Sequence, residues 1–295
     1  MSLEALLLAH CRGQLAAGQR AVIGLNGPVG AGKTSLCRGL QQRFAAAGIR
    51  LAVASIDDAY LPLAERQRAM AGNPFGVGRV PPGSHDPEAL AAPIRAWRAA
   101  AEATLSLPRF DKTLQGGQGD RTTPWSGPAD ALLLEGWLLG CRPLPPPLLA
   151  QQLQDPGGPL AGWRPAQRAW LQRCNGALGA YGPLWDLLDQ LVVLWPQDWL
   201  LPRRWRFQAE ARQRRRGGAW LNPAQLQALV EASLLSLPPE LYQRPLLPRA
   251  AWVRLLDGRR RVVWEGSGAA APPGLVPGDE RGGDQASSPS SSATG

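Results

Sequence analysis

The sequence is organised around Gly27-Pro28-Val29-Gly30-Ala31-Gly32-Lys33-Thr34, a complete G-x-x-x-x-G-K-[ST] phosphate-binding loop. The apolar run Ala21-Val22-Ile23-Gly24-Leu25 precedes the loop and predicts a buried strand. Residues 35–47 are rich in helix formers and end before Gly48, a typical C-cap. This order suits phosphate binding, because backbone N–H groups at a helix N-terminus converge on the anion. A chance glycine-rich turn is the alternative, and the two correct flanks count against it.

The loop predicts a nucleotide site with a metal ion. Its glycines permit turns and close approaches that a β-carbon would obstruct. We expect Lys33 to reach the β- and γ-phosphates of ATP and the Thr34 hydroxyl to ligate Mg²⁺. The predicted nucleotide-binding residues are Gly27, Pro28, Val29, Gly30, Ala31, Gly32, Lys33, Thr34 and Ser35.

Apolar strand candidates alternate with helical segments along the chain, which predicts an α/β fold. Further buried strands are expected at 51–56, 131–136, 190–195 and 252–256, with a hairpin turn at Asp257-Gly258. Such alternation favours a three-layer α/β/α sandwich with a mainly parallel central sheet. Functional groups should then collect at the carboxyl ends of the strands.

The remaining segments predict helices and loops within one domain spanning residues 1–265. We expect helices at 1–20, from Asp86-Pro87-Glu88 to about Thr104, largely through 166–188, at 199–216, and from Asn222-Pro223 to about Leu237. Loops are expected at 61–86, with at most a helical turn near 63–70, and at 108–121. Residues 143–165 suggest an irregular excursion, and the Gly-, Pro- and Ser-rich residues 266–295 a disordered tail.

Composition limits the classes of function. The 295 residues are 44% hydrophobic and carry a net charge of +9. This charge suggests either a nucleic-acid or membrane partner, or a compositional drift towards arginine together with a site for anionic substrates. The spread of arginines along the chain favours the second, with no nucleic acid and no membrane. The four cysteines lack C-x-x-C or metal-ligand spacing, and no signal-peptide pattern is evident, so reduced thiols in a cytoplasmic protein are expected.

Only two lysines occur, Lys33 and Lys112, whereas the other 30 of the 32 basic residues are arginine. A compact ammonium suits a phosphate at Lys33, where a planar guanidinium fits differently. The same reasoning predicts that Lys112 touches a ligand; an ordinary surface lysine is the equal alternative.

Acids follow two of the predicted strands. Glu135 ends the strand at 131–136, where an acid can hold Mg²⁺ directly or through water, or can simply face solvent. Asp57 and Asp58 follow the strand at 51–56, and a carboxylate there could accept the proton of an attacking hydroxyl. The alternative role is an Asx turn or helix cap, which fits Asp58 better than Asp57.

Basic residues divide between a predicted lid helix and loops. Arg203 and Arg206 begin the arginine-rich helix and could neutralise a transferring phosphoryl group, or could pair with acids such as Glu210 on a solvated face. Loops between the second and third strands carry further candidates for binding an anionic substrate: Arg79, His85, Lys112 and Arg121.

Together, these motifs resemble plant-type D-glycerate 3-kinase, within the phosphoribulokinase, uridine kinase and pantothenate kinase group of P-loop kinases. The phosphate loop is shared by many NTPases, whereas the order of the other segments is far more specific. The resemblance spans about residues 20–264 and is carried by GLNGPVGAGKTSL (24–36), SIDDAYL (55–61), PGSHD (82–86), PRFDKT (108–113), GQGDR (117–121), LLEGWLLG (133–140), Cys174-Asn175 with Trp185, and WRFQAE (205–210).

The resemblance implies phosphorylation of D-glycerate to 3-phospho-D-glycerate with ATP and Mg²⁺, in glycolate salvage associated with photorespiration. It implies Asp57 as the catalytic base and Glu135 as the acid near the metal. The glycerate-kinase motifs also contain the candidate substrate residues Tyr60, Arg79, His85, Lys112 and Arg121. Rival interpretations are a P-loop kinase of another hydroxyl compound, such as uridine or pantothenate, and a regulatory NTPase or nucleic-acid-binding protein. The oligomeric state is not predicted.

Overall fold

The computed structural model describes residues 1–102, 104–215, 221–272 and 274–275. A six-stranded sheet has the order β2-β5-β1-β6-β7-β8, and a separate hairpin pairs β3 with β4. The strands are β1 (Ala21–Asn26), β2 (Leu51–Ser55), β3 (Thr104–Asp111), β4 (Asp120–Pro128), β5 (Ala131–Gly136), β6 (Gln190–Pro196), β7 (Trp252–Leu256) and β8 (Val262–Gly266).

Helices connect and cover these strands. They are α1 (Leu3–Ala16), α2 (Lys33–Ala46), α3 (Leu63–Ala69), α4 (Glu88–Ala99), α5 (Pro146–Gln154), α6 (Pro165–Ala177), α7 (Gly182–Trp185), α8 (Leu201–Arg215), α9 (Pro223–Ser236) and α10 (Pro239–Tyr242). Five neighbouring strands run parallel, and β8 alone in this sheet runs antiparallel, against β7. The predicted α/β sandwich with a mainly parallel sheet is therefore confirmed.

The two faces of the sheet feed two apolar clusters, because successive side chains of a strand point to opposite faces. In β1, Val22 joins a cluster formed with α4 and α6, whereas Ile23 joins a cluster formed with α1 and α2. Both faces are thus buried, which explains why the parallel strands have nearly continuous apolar sequences. All four cysteines are free and buried, and burial raises the pKa of Cys11, Cys37 and Cys174 to about 12.

Three predictions about local structure were wrong. The loop expected at 108–121 is only partly a loop, because residues 108–111 end β3 and residues 120–121 begin β4. The register of this hairpin shifts between Leu107 and Arg109, where Pro108 can be tolerated. Helix α4 ends at Ala99 rather than near Thr104, where β3 begins. The excursion at 143–165 contains helix α5, which starts at a proline suited to a first helical turn.

The last predicted segment is only partly described. A short 3₁₀ turn covers Gly268–Ala270, and the Gly268 N–H donates to the Ala250 carbonyl at 3.0 Å. The rest of the expected tail, residues 273 and 276–295, lies outside the described residues.

Candidate active site

The phosphate loop joins β1 to α2 and uses two left-handed glycines. Gly30 has φ +79° and Gly32 has φ +96°. A β-carbon on Gly30 would also come within 2.8 Å of the Trp205 β-carbon and of the Arg206 backbone nitrogen. Gly30 is therefore required both by its backbone conformation and by the close approach of α8.

Lys33 is the first residue of α2 and lies beside the acid at the end of β5. Its ammonium donates to the carbonyl oxygens of Gly27 and Pro28, at 2.8 and 3.2 Å. The Lys33 Nζ is also 3.7 Å from Glu135 Oε2. Glu135 reaches this position because β5 is aligned with β1 and β2 in the parallel sheet, pairing Glu135 with Leu25 and Ser55.

A cavity of about 390 Å³ lies above the carboxyl ends of the strands. On the loop side it is lined by Val29, Gly30, Gly32, Lys33, Thr34 and Ser35. Its lining also includes Ser55, Asp57, Tyr60, Arg79, Val80, Lys112 and Glu135, together with Arg206, Arg212 and Arg260. Among the predicted site residues, those outside the lining are Gly27, Pro28, Ala31, His85, Arg121 and Arg203.

Asp57 lies in the 3₁₀ turn Ile56–Ala59 that follows β2. Lys112 donates to its Oδ2 at 2.6 Å, and His85 Nε2 lies 3.8 Å from its Oδ1. Burial opposes ionisation of Asp57, but Lys112 and then His85 outweigh it and hold the pKa of this carboxyl well below its usual range. The neighbouring Asp58 instead accepts the Ser55 N–H at 2.9 Å, the capping role that was its expected alternative.

Lys112 and Arg79 bring positive charge to the side of the cavity where Asp57 lies. Lys112 follows β3, and its side chain remains 54% exposed although it is paired with Asp57. Arg79 donates from one guanidinium nitrogen to the carbonyls of Gly117 and Gln118, at 3.3 and 3.1 Å. Lys112 thus has an exposed side chain that is paired with a cavity carboxylate, and its contact with a ligand stays a prediction.

Behind Asp57, His85 is buried between two tyrosines. Its ring stacks on Tyr60 with centroids 4.4 Å apart, and its Nδ1 is 2.8 Å from the Tyr181 hydroxyl. That hydroxyl also accepts the Gly83 N–H at 3.2 Å. Among the contacts described, Nδ1 is the one acceptor for the Tyr181 O–H, so Nε2 carries the proton and faces Asp57. Burial lowers the pKa of His85 despite the pull of Asp57, which favours this neutral ring.

Two predicted residues are placed away from the cavity. The Arg121 guanidinium donates to the Tyr60 carbonyl at 2.9 Å and to Asp86 Oδ2 at 3.0 Å, so it joins the turn after β2 to the start of α4. Arg203 is exposed on α8. Arg206, one turn later, does line the cavity and also pairs with Glu210 at 3.1 Å.

Sequence reasoning missed several residues that build this site. Arg66 is 1% exposed and donates to the carbonyls of Leu61, Gly78, Gln118 and Gly119 at 2.7–3.0 Å, which ties three segments together. Tyr181 and Arg260 were likewise not anticipated. The Asp257-Gly258 turn signal located the hairpin that carries Arg260, but no pattern in the sequence linked it to the phosphate loop.

The residues at the cavity fit a magnesium ion that is shared with a nucleotide. Among the residues that the structure describes, no cluster of three or more His, Cys, Asp or Glu could hold a metal alone. The Thr34 hydroxyl and the Glu135 carboxylate nevertheless line one cavity. Magnesium commonly takes one or two protein oxygens and completes its shell with phosphates and water.

The phosphate loop, the parallel sheet covered on both faces and the arginine-rich helix α8 define the fold of the P-loop kinases. No family model matches the sequence. None of the helices in the described part of the chain combines the length and the apolar character that a membrane span requires.

The chain is similar to known kinases from a plant and from fungi. The chain is 32% identical to chloroplastic D-glycerate 3-kinase of Arabidopsis thaliana over 72% of its own length and 46% of that protein, so it spans about half of the plant relative. It is 29% identical to the uncharacterised kinase mug58 of Schizosaccharomyces pombe, over 65% of this chain and 71% of that one. The solved structure of D-glycerate 3-kinase from Cryptococcus neoformans matches with a TM-score of 0.76 at 25% identity, covering 90% of this chain and 99% of that one. Each of these three relatives is named as a kinase.

Proposed function

We propose that this protein transfers the γ-phosphoryl group of ATP to D-glycerate, giving 3-phospho-D-glycerate and ADP. One observation carries the proposal: a phosphate loop and a carboxylate paired with lysine line the same cavity of about 390 Å³. The similarity to D-glycerate 3-kinases from a plant and a fungus supports the choice of acceptor.

On the nucleotide side, the phosphate loop and the start of α2 would hold the β- and γ-phosphates. Lys33 is already beside the loop and would balance charge on the γ-phosphoryl group as it transfers. Arg206 of α8 lines the same cavity and would add positive charge there. Arg203, which is exposed on the same helix, would take part only if α8 moved over the nucleotide.

Thr34 and Glu135 are the residues that would hold Mg²⁺, the first directly and the second directly or through water. When bound, the ion would neutralise charge on the phosphates and help to align them for transfer. Glu135 also keeps Lys33 close, since the two charges are 3.7 Å apart.

On the acceptor side, Asp57 would orient the primary hydroxyl and receive its proton as the bond to phosphorus forms. A low pKa makes Asp57 a weak base, which suits a loose transition state in which the proton leaves late and positioning dominates. Lys112 and Arg79 lie on the same wall and would attract the glycerate carboxylate. The neutral His85, whose Nε2 is 3.8 Å from the other oxygen of Asp57, would help to orient this carboxylate.

The proposal is tested by a coupled assay of ADP release from purified protein, with Mg·ATP and with or without D-glycerate. We expect turnover that depends on D-glycerate, with 3-phosphoglycerate as product. Uridine and pantothenate serve as alternative acceptors, and turnover of either without turnover of D-glycerate would overturn the choice of substrate. ATP hydrolysis without any acceptor, or salt-sensitive DNA binding, would favour the regulatory NTPase or the nucleic-acid-binding protein instead.

The cellular setting rests on the resemblance alone. The plant relative is chloroplastic by name, whereas we propose a cytoplasmic enzyme here. A part in glycolate salvage and photorespiration stays a prediction, and growth of a deletion strain on glycolate would test it.

A further inference from the structure

We infer that Arg260 is a positioning residue of the nucleotide site, which fixes the phosphate loop against the arginine-rich helix α8. Arg260 lies in the turn between β7 and β8, far along the chain from the loop. Its side chain nevertheless lines the same cavity as Lys33. The inference concerns nucleotide binding and does not depend on which acceptor the enzyme uses.

The guanidinium of Arg260 joins two backbone carbonyls from separate elements. Its Nε donates to the Gly30 oxygen at 2.7 Å, and one terminal nitrogen donates to the Trp205 oxygen at 2.9 Å. The guanidinium carbon also lies 5.6 Å from the centre of the Trp205 ring. A planar fork can make both bonds at once, whereas a lysine ammonium on a flexible stem would not reproduce this geometry.

The turn that carries Arg260 is built to hold it there. Arg260 has φ +64°, a conformation that a residue with a side chain adopts at a cost. Asp257 supports this turn: its carbonyl accepts the Arg260 N–H at 2.9 Å, and its Oδ1 accepts the N–H groups of Arg259 and Arg261, each at 2.8 Å. A non-glycine residue held in this conformation at a functional site indicates that its side chain is needed there.

Trp205 completes the connection from the helix side. It is fully buried, and its Nε1 donates to the Gly258 carbonyl at 3.0 Å, so hairpin and helix exchange hydrogen bonds in both directions. Gly30 packs directly on the Trp205 backbone, where a β-carbon would not fit. Loop, helix and hairpin therefore meet at the guanidinium of Arg260.

The bond to Gly30 acts on the shape of the phosphate loop. A trans peptide is planar, with its C=O and N–H pointing in opposite directions. Because Arg260 holds the Gly30 carbonyl, it also fixes the Ala31 N–H, which closes the turn on the Pro28 carbonyl at 3.2 Å. Loss of Arg260 would free this peptide to rotate and weaken the cradle for phosphates.

The experiment measures the dissociation constant of Mg·ATP by calorimetry, with no acceptor present. Arg260→Met should weaken binding by about tenfold, as expected for a lost hydrogen bond from a charged donor. The affinity of Arg260→Lys for Mg·ATP should lie between those of wild type and Arg260→Met, because lysine keeps the positive charge but lacks the planar guanidinium. Arg259→Met is the matched control, because it removes the same charge from the same turn. Since Arg259 is exposed, Mg·ATP binding of this variant should stay within twofold of wild type.

Arg260→Gly separates positioning from folding. Glycine suits the left-handed conformation, so this variant should melt at or above the temperature of Arg260→Met while binding Mg·ATP as weakly. Binding within twofold of wild type in both Arg260→Met and Arg260→Gly would overturn the inference. If Arg259→Met weakened Mg·ATP binding as much as Arg260→Met, the effect would be one of charge alone, and the inference would also be overturned. Failure of D-glycerate as an acceptor would leave this result unchanged, because no acceptor is used.

Discussion

The nucleotide side of the cavity is formed mainly by backbone groups, whereas the acceptor side is formed by side chains. On the nucleotide side, a contiguous loop supplies backbone groups and the first turn of α2 supplies Lys33 and Thr34. On the acceptor side, the turn after β2, the segment before α4 and the hairpin β3–β4 each supply one or two side chains. These side chains are held mainly by one another, through pairs such as Asp57 with Lys112.

This difference determines how each side should respond to change. A backbone cradle tolerates many side-chain substitutions, provided that the peptide planes stay fixed. A constellation of ion pairs depends on every member, since each carboxylate or ammonium is positioned by its partner. Substitutions on the acceptor side should therefore damage turnover while leaving ATP binding intact, and four experiments test this.

The largest effect is expected from Asp57→Asn. The amide cannot accept the hydroxyl proton, so kcat with D-glycerate should fall roughly 10²- to 10⁴-fold. Mg·ATP should bind within twofold of wild type, because β5 separates strand β2, which Asp57 follows, from strand β1, which the loop follows. Steady-state kinetics and calorimetry measure the two quantities.

Glu65→Gln provides the control for Asp57→Asn, since Glu65 is an exposed acid on α3 and its loss should leave kcat unchanged. A kcat near that of wild type in Asp57→Asn would remove this carboxylate from the mechanism.

Arg66→Met should have the next largest effect, on stability. It leaves four carbonyls without their buried charged donor and should lower the free energy of unfolding by about 3 kcal/mol. Mg·ATP should still raise the melting temperature of this variant, because substitutions on the acceptor side should leave nucleotide binding intact. Thermal melting with and without Mg·ATP measures this.

The exposed Arg68 of the same helix gives the matched substitution Arg68→Met, which should change the melting temperature by little. If Arg66→Met melted like Arg68→Met, the carbonyls of the acceptor side would have to be satisfied without Arg66.

Lys112→Met should raise the KM for D-glycerate by about tenfold, because it removes a positive charge that would attract the substrate carboxylate. It should also change the pH profile. Lys112 helps to hold the pKa of Asp57 below its usual range, so wild type keeps an ionised base as the pH falls. Without Lys112 the pKa of Asp57 should rise, so the acid limb of kcat/KM should move to higher pH.

Lys112→Arg sharpens the test, because it restores the charge but not the compact ammonium and should recover the pH profile more fully than the KM. An acid limb that stays in place in Lys112→Met would mean that Asp57 does not set it.

The smallest effect is expected from Tyr181→Phe. It removes the hydroxyl that fixes the proton of His85 on Nε2, so kcat should fall a few-fold while the KM for ATP is unchanged. Tyr242→Phe is the comparison, since Tyr242 is also buried and its hydroxyl bonds Asn175 at 2.8 Å, in the core rather than behind Asp57. An equal kcat for the two variants would show that the His85 contact does not contribute.

Much of the fold could be predicted because the parallel strands are buried on both faces. Such strands have continuous apolar sequences, as in Leu132-Leu133-Leu134, and these runs can be recognised in the sequence. Hairpin β3–β4 was missed because it is exposed along much of its length and contains Pro108, so neither a continuous apolar run nor a proline-free strand marks it. The alternation of Thr104, Leu105, Ser106 and Leu107 was the available signal.

The candidate site divides in the same way. The phosphate loop is local in sequence, and its motif located Lys33 and Thr34 directly. Lys112 was singled out by rarity, and its contact with Asp57 depends on a hairpin that the sequence did not predict. Arg66 and Arg260 bond carbonyls at distant positions, and carbonyls are common to all residues, so no pattern of side chains marks such partners.

The strand order has a consequence for a chain that is still being made. Strand β1 carries the phosphate loop, yet its two neighbours are β5 and β6, which emerge from the ribosome much later. Until residues 190–196 have been synthesised, β1 lacks a partner on one edge, and no nascent fragment ending before them should retain ATP. The phosphate loop is thus translated well before the sheet around it can be completed.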